Sequence, residues 1–181
     1  MIRVRYLSAL AALVLWLAAG PAAAQSVNQA AFYGKWEGSG IAENAESLYF
    51  GATVRDFEVT IGPDGSGFFV EWTSVIRGGG DPANPNVRRK TVKVAFDPAG
   101  TPNVYRARTS GDPTSDGGYV WARLKDRTLT VNIMAVRADG GYDVQTFDRE
   151  LSAAGMALRF VRVRDGRVVR EVNGKLIKTG K

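Results

Sequence analysis

From residue 34 to residue 178 hydrophobic and polar positions alternate with a period of two, the pattern of strands with one buried face. Ten segments carry it: 34–43, 53–62, 67–77, 87–96, 103–109, 119–125, 127–137, 141–151, 156–164 and 167–178. Turn chemistry separates most of them, at Gly62-Pro63-Asp64-Gly65, Asp97-Pro98-Ala99-Gly100, Lys125-Asp126, Asp139-Gly140-Gly141, Ala154-Gly155 and Asp165-Gly166. Asn173-Gly174 falls inside the last segment and predicts either a bulge or a split into a small hairpin. Ahead of the strands, Val27 to Phe32 predicts one amphipathic helical turn that aims Phe32 and Tyr33 at the core. No long helical pattern intervenes, so consecutive strands must join as hairpins. The expected fold is all-β, an up-and-down antiparallel barrel of about ten strands.

In such a meander, alternate connections lie at the same end. The longer connections 44–52, 78–86 and 110–118 then share one rim, while the turns after the second, fourth, sixth and eighth segments share the other. The first segment starts at the short-turn end. An even strand count lets the first and last segments pair antiparallel, which removes both edges.

Alternation also assigns faces. Phe57, Val59 and Ile61 share one side of their strand, and Phe68, Val70, Trp72 and Ile76 one side of the next. Val92, Val94 and Phe96 follow the same rule. Tyr119 and Trp121 fall in step with Arg123, and Met156, Leu158 and Phe160 with Arg162 and Arg164. Segments 127–137 and 141–151 are apolar on both faces and stay ambiguous. The expected interior is aromatic, with a few arginines near strand ends.

The N-terminus reads differently. Arg3 and Arg5 precede an apolar run from Leu7 to Ala19, and Ala22-Ala23-Ala24 has the small-x-small pattern of a signal-peptidase site. The expectation is a signal peptide over 1–24, cleavage after Ala24, and a single periplasmic or secreted domain over 25–181. The formal charge of +6 falls to +4 when Arg3 and Arg5 are removed. That mild excess fits a solvated basic exterior as readily as an anionic partner. Nucleic acid is not an expected partner, and the oligomeric state is not readable. The chain has no cysteine, so disulfides, thiol nucleophiles and a lipid-anchoring Cys are excluded. It also has no histidine, which excludes His-based triads and imidazole metal sites.

Gly34-x-Trp36-x-Gly38-x-Gly40 opens the first strand. This motif resembles the GxWxGxG opening of nitrobindin-like proteins, ten-stranded members of the calycin group that includes lipocalins and fatty-acid-binding proteins. Its Gly-x-Trp element is shared with lipocalins, where the Trp lies at the closed base. The resemblance implies a cup-shaped barrel holding an apolar or planar ligand, with Trp36 as a structural plug beneath it. Nitrobindins use a C-terminal His on haem iron, and this chain departs from them by having none. Histidine-ligated haem is therefore excluded and no cofactor is expected.

The candidate ligand-binding residues are Trp72, Trp121, Phe57, Phe160, Arg123 and Arg162. The aromatic ones would line a pocket or simply pack the core. The arginines, if inward, would grip a carboxylate or phosphate in bidentate fashion, or pair with Glu37, Glu71 or Asp148. The Gly111–Gly118 loop has oxygen ligands but not the spacing of a calcium loop, so an ordinary turn is preferred. Gly78-Gly79-Gly80 with Arg88-Arg89-Lys90 lacks the strand–loop–helix setting of a phosphate site. The arginines between 159 and 170 read as a solvated basic face. No catalytic residue or metal site is singled out, and Glu37, Glu43, Glu58 and Glu71 select no acid–base pair. Two functions stand: an exported barrel binding a hydrophobic or amphipathic, neutral or anionic, small molecule; or a ligandless envelope-interaction barrel. Membrane insertion is disfavoured by charged faces and a chain ending in Lys181.

Overall fold

A computed structural model describes residues 27–45, 52–77, 81 and 84–181. The expected signal peptide, Gly78-Gly79-Gly80 and most of the 44–52 connection lie outside the described residues. After a 3-10 turn at Gln29–Phe32, the strands are β1 (Gly34–Asn44), β2 (Ala52–Asp64), β3 (Gly67–Arg77), β4 (Val87–Pro98) and β5 (Val104–Ala107). They continue as β6 (Tyr119–Lys125), β7 (Thr128–Val136), β8 (Tyr142–Ser152), β9 (Gly155–Arg164) and β10 (Arg167–Gly180). Each pairs antiparallel with its neighbours in sequence, and β1 closes on β10, so ten strands form a closed barrel.

The hairpin parity follows from the chemistry of the turns. At Asp165-Gly166 both residues have positive φ (47° and 78°), the geometry of a two-residue turn that matches strand twist. Asp126, at φ 52°, turns β6 into β7 at the opposite end. Asn173-Gly174 neither splits nor bulges β10. It runs straight through opposite β1, and the irregularity falls instead between Val168 and Arg170.

The β1–β10 seam explains the opening glycines. A Cβ at Gly38 would lie 2.0 Å from the Lys175 carbonyl oxygen, and one at Gly40 2.4 Å from that of Asn173. Only glycine allows the two strands this close. Between these glycines and the barrel base, Trp36 points inward, is buried, and donates its indole N–H to the Phe32 carbonyl at 2.9 Å. The 3-10 turn is thereby bolted across the end of the barrel. Val27 N–H adds a bond to the Asp126 carbonyl (3.1 Å), and the Tyr105 hydroxyl donates to Gln29. Phe32, Phe68, Phe96 and Tyr105 fill this end, with Phe68 stacked on Phe96 (5.3 Å between ring centres) and edge-on to Tyr105 (4.9 Å).

The wall is uneven. β4 pairs with β3 from Val87 to Phe96, but with β5 only at Phe96, Asp97 and Pro98. Among the described residues, the stretch of β4 from Val87 to Val94 thus has a ladder partner on one side only. Outside, ion pairs run across the sheet: Asp56–Arg77, Glu58–Arg89 and Glu71–Lys93.

Candidate functional site

Above the packed base the interior opens into a cavity of about 770 Å³. Its floor is set by rings that meet across the barrel. Trp72 on β3 and Phe147 on β8 belong to strands on opposite sides of the ring, yet their ring centres are 5.0 Å apart. Phe160 extends the cluster, 4.7 Å from Phe147. Phe57, Val59, Ile133, Leu158 and Val172 complete an apolar wall, while Arg55, Arg88, Lys90 and Arg170 line the cavity toward the end of the long connections. Volume and lining fall in the range of small-molecule sites, with an apolar body and a few polar groups.

The charge inside is unbalanced. Arg149 on β8 is fully buried, with 0 % exposure, and lines the cavity beside Trp72 and Phe147. Its guanidinium carbon lies 5.4 Å from the Trp72 ring centre and 5.8 Å from that of Phe147. None of its three side-chain nitrogens has a hydrogen-bond partner. Burial lowers its pKa to about 10, so it stays protonated at neutral pH. Higher up, the buried Nε of Arg55 is also without a partner. Burial first, then repulsion from Arg170 and Arg88, holds the Arg55 pKa below the ordinary arginine value.

A third group is neutralised. Asp143, inward on β8 and 6 % exposed, accepts from Arg162 through Nε (3.0 Å) and an NH2 group (2.8 Å), and from Arg164 Nε at 3.3 Å. The Arg162 hydrogen bonds, reinforced by the charges of both arginines, hold the Asp143 carboxyl below the usual carboxylate range.

Of the six candidate residues, Phe57, Trp72 and Phe160 line the cavity. Arg162 faces inward, but its partner is Asp143 and not Glu37, Glu71 or Asp148, and it is not among the cavity-lining residues. Trp121 and Arg123 are corrected: both point outward. The reason lies in register. Ala122 faces Tyr105 and Val131, so Val120, Ala122 and Leu124 are the buried set of β6. Ala122 is itself fully buried, and the large Tyr105 beside it fills the interior at this height. Trp121 packs outside against Tyr119, with the rings tilted and their centres 5.5 Å apart. Arg123 lies in an exterior groove of mixed charge with Lys125, Asp148, Glu150 and Arg159.

The run of arginines from 159 to 170 is not one solvated face either. Arg159 pairs outside with Glu171, whereas Arg162, Arg164 and Arg170 turn inward. In the Gly111–Gly118 loop, Asp112 accepts from the Thr114 backbone (2.8 Å) and hydroxyl (2.7 Å), an Asx turn that uses its carboxylate locally. Of the inward cations, the sequence does not single out Arg149 or Arg55, and reads Arg88 and Arg170 only within a rejected phosphate motif and a solvated basic face. A signal existed for two of them. Arg149 lies in step between Phe147 and Leu151, and Arg55 two residues before Phe57.

No family model matches the chain, and no curated protein matches it in sequence. Among solved structures, it is similar to a protein of unknown function from the DUF3598 family of Nostoc punctiforme PCC 73102. The TM-score is 0.56 at 10 % identity, covering 85 % of this chain and 50 % of that one. The chain therefore spans about half the length of this neighbour, and the likeness is one of fold.

Proposed function

We propose that this chain is an exported barrel that binds a hydrophobic or amphipathic small molecule inside its cavity. The carrying observation is the 770 Å³ space between the Trp72–Phe147 floor and the arginine-lined upper wall. A barrel with a purely structural role would gain from filling such a space, because unfilled apolar volume forgoes dispersion contacts. The Gly34-x-Trp36-x-Gly38-x-Gly40 opening and the plugged base support kinship of design with nitrobindin-like and lipocalin-like barrels. Removal of residues 1–24 and release as a soluble periplasmic or secreted protein belong to the same reading. The ion pairs across the outer faces of β2, β3 and β4 support a water-facing exterior.

The test is a fluorescence titration with the neutral probe N-phenyl-1-naphthylamine on protein purified without detergent. Saturable binding at one site is expected, with its loss when Val172→Trp fills the cavity. A folded wild-type protein that shows no saturable binding would leave the ligandless envelope barrel as the better reading.

A further inference from the structure

Buried arginines are costly, and proteins normally surround them with acceptors. Arg149 breaks this rule at all three of its nitrogens. Its neighbours supply partial compensation only. The faces of Trp72 and Phe147 attract the cation but accept no strong N–H hydrogen bond. Asp148 and Glu150 flank it in sequence, yet alternation turns both to the outside, where they line the exterior groove. The inward acid of β8, Asp143, is already held by Arg162 and Arg164. A five-donor fork, flanked by two rings and buried at the cavity floor, thus lacks an acceptor.

We propose that the ligand enters anion first: a carboxylate or phosphate-class headgroup accepts hydrogen bonds from the Arg149 guanidinium at the cavity floor, and the apolar remainder lies against Phe57, Phe160, Leu158 and Val172. This rests on the ligand-binding reading above and specifies its chemical class and orientation. The geometry favours the floor over the mouth as the headgroup seat. Arg55, Arg88 and Arg170 stand where water already solvates them, whereas the Arg149 guanidinium is buried against the Trp72 and Phe147 rings and meets the headgroup when those rings part. Planar two-point acceptance by a carboxylate matches the guanidinium fork. The upper cations then draw anions toward the opening and repel one another less when an anion passes between them.

Competition between dodecanoate and 1-dodecanol for bound N-phenyl-1-naphthylamine tests this, because the two competitors share a tail and differ in the headgroup. Dodecanoate is expected to displace the probe at least about tenfold more effectively than the alcohol. Arg149→Met is expected to abolish that preference, read as the ratio of displacement by the two competitors, with an unfolding temperature no lower than the wild type. If Arg149→Met does not fold, Arg149→Gln, which keeps amide donors without the charge, should lose the preference in the same way. Dodecyl phosphate in place of dodecanoate shows which anion class is preferred. Equal displacement by acid and alcohol, or a preference that survives removal of the Arg149 charge, overturns the inference while leaving the cavity reading intact. Failure of the probe itself to bind wild type overturns both.

Discussion

Arg123 and Arg162 read alike along the chain, each an arginine in step with aromatic residues, yet the barrel gives them opposite surroundings. Arg162 is held inside by Asp143, and Arg123 stands outside in a groove of mixed charge. Alternation alone cannot separate them, since it fixes which residues share a face but not which face is inner. Replacement of Trp121 or Arg123 by Ala is therefore expected to leave binding of the neutral probe within about twofold of wild type. A larger loss, measured by the same titration, would place them in the site after all. Asp143→Asn should behave differently, because it leaves Arg162 and Arg164 without their shared carboxylate. Both arginines remain about 30 % exposed, so the expected loss is about 1–3 kcal/mol and not the full cost of an unpaired buried charge. The Asp143 pKa is depressed, so its contribution is complete above the ordinary Asp pKa and is lost as pH falls through the folded value. The gap in stability between wild type and Asp143→Asn, followed by denaturant melts, should be constant from about pH 5 to 7 and narrow below about pH 4. A gap independent of pH would contradict this pairing.

At the level of elements, the ten strands and their turn ends were legible because period-two alternation and Gly/Asp turn signals agree along the whole segment from 34 to 178. β5 shows where the reading is weak. It spans only Val104–Ala107 instead of 103–109, since its pairing with β4 ends after three residues and the chain leaves the ladder at Arg108. β8 was opaque for another reason. Val144 and Thr146 on the outside mimic an apolar face, and a charged residue at 149 is not expected on an inner one. The glycines of β1, by contrast, have a physical cause in the seam with β10. Gly38→Ala must push a methyl group against the Lys175 carbonyl, and should cost about 1–3 kcal/mol in stability. Gly100→Ala, in a turn where an added Cβ meets nothing within 4 Å, pays only for its φ of 85° and should cost about 1–2 kcal/mol. A Gly38→Ala protein as stable as wild type in chemical melts would mean that the seam is looser than described.

For the whole molecule, the distribution of charge between inside and outside matters more than the net value of +6. The outer acids Asp56, Glu58 and Glu71 of β2 and β3 are matched by cations on β3 and β4, while Arg55, Arg88, Lys90, Arg149 and Arg170 face a cavity with little negative charge of its own. A field of this kind accelerates arrival of anions and is screened by salt. Stopped-flow association of dodecanoate is expected to slow several-fold between about 20 and 500 mM salt, where the screening length shrinks from roughly 20 Å to a few ångströms. Association of 1-dodecanol should change little, and equal salt dependence for both would remove the steering role of the upper arginines. The central claim is spatial: an amphipathic anion lies inside the barrel with its headgroup at the floor. A crystal structure determined with dodecanoate present measures it most directly. The account predicts one chain between Phe57 and Phe160, its carboxylate within hydrogen-bond distance of Arg149. A side-chain-filled interior, or dodecanoate seated head-outward at Arg55 and Arg170, would contradict it.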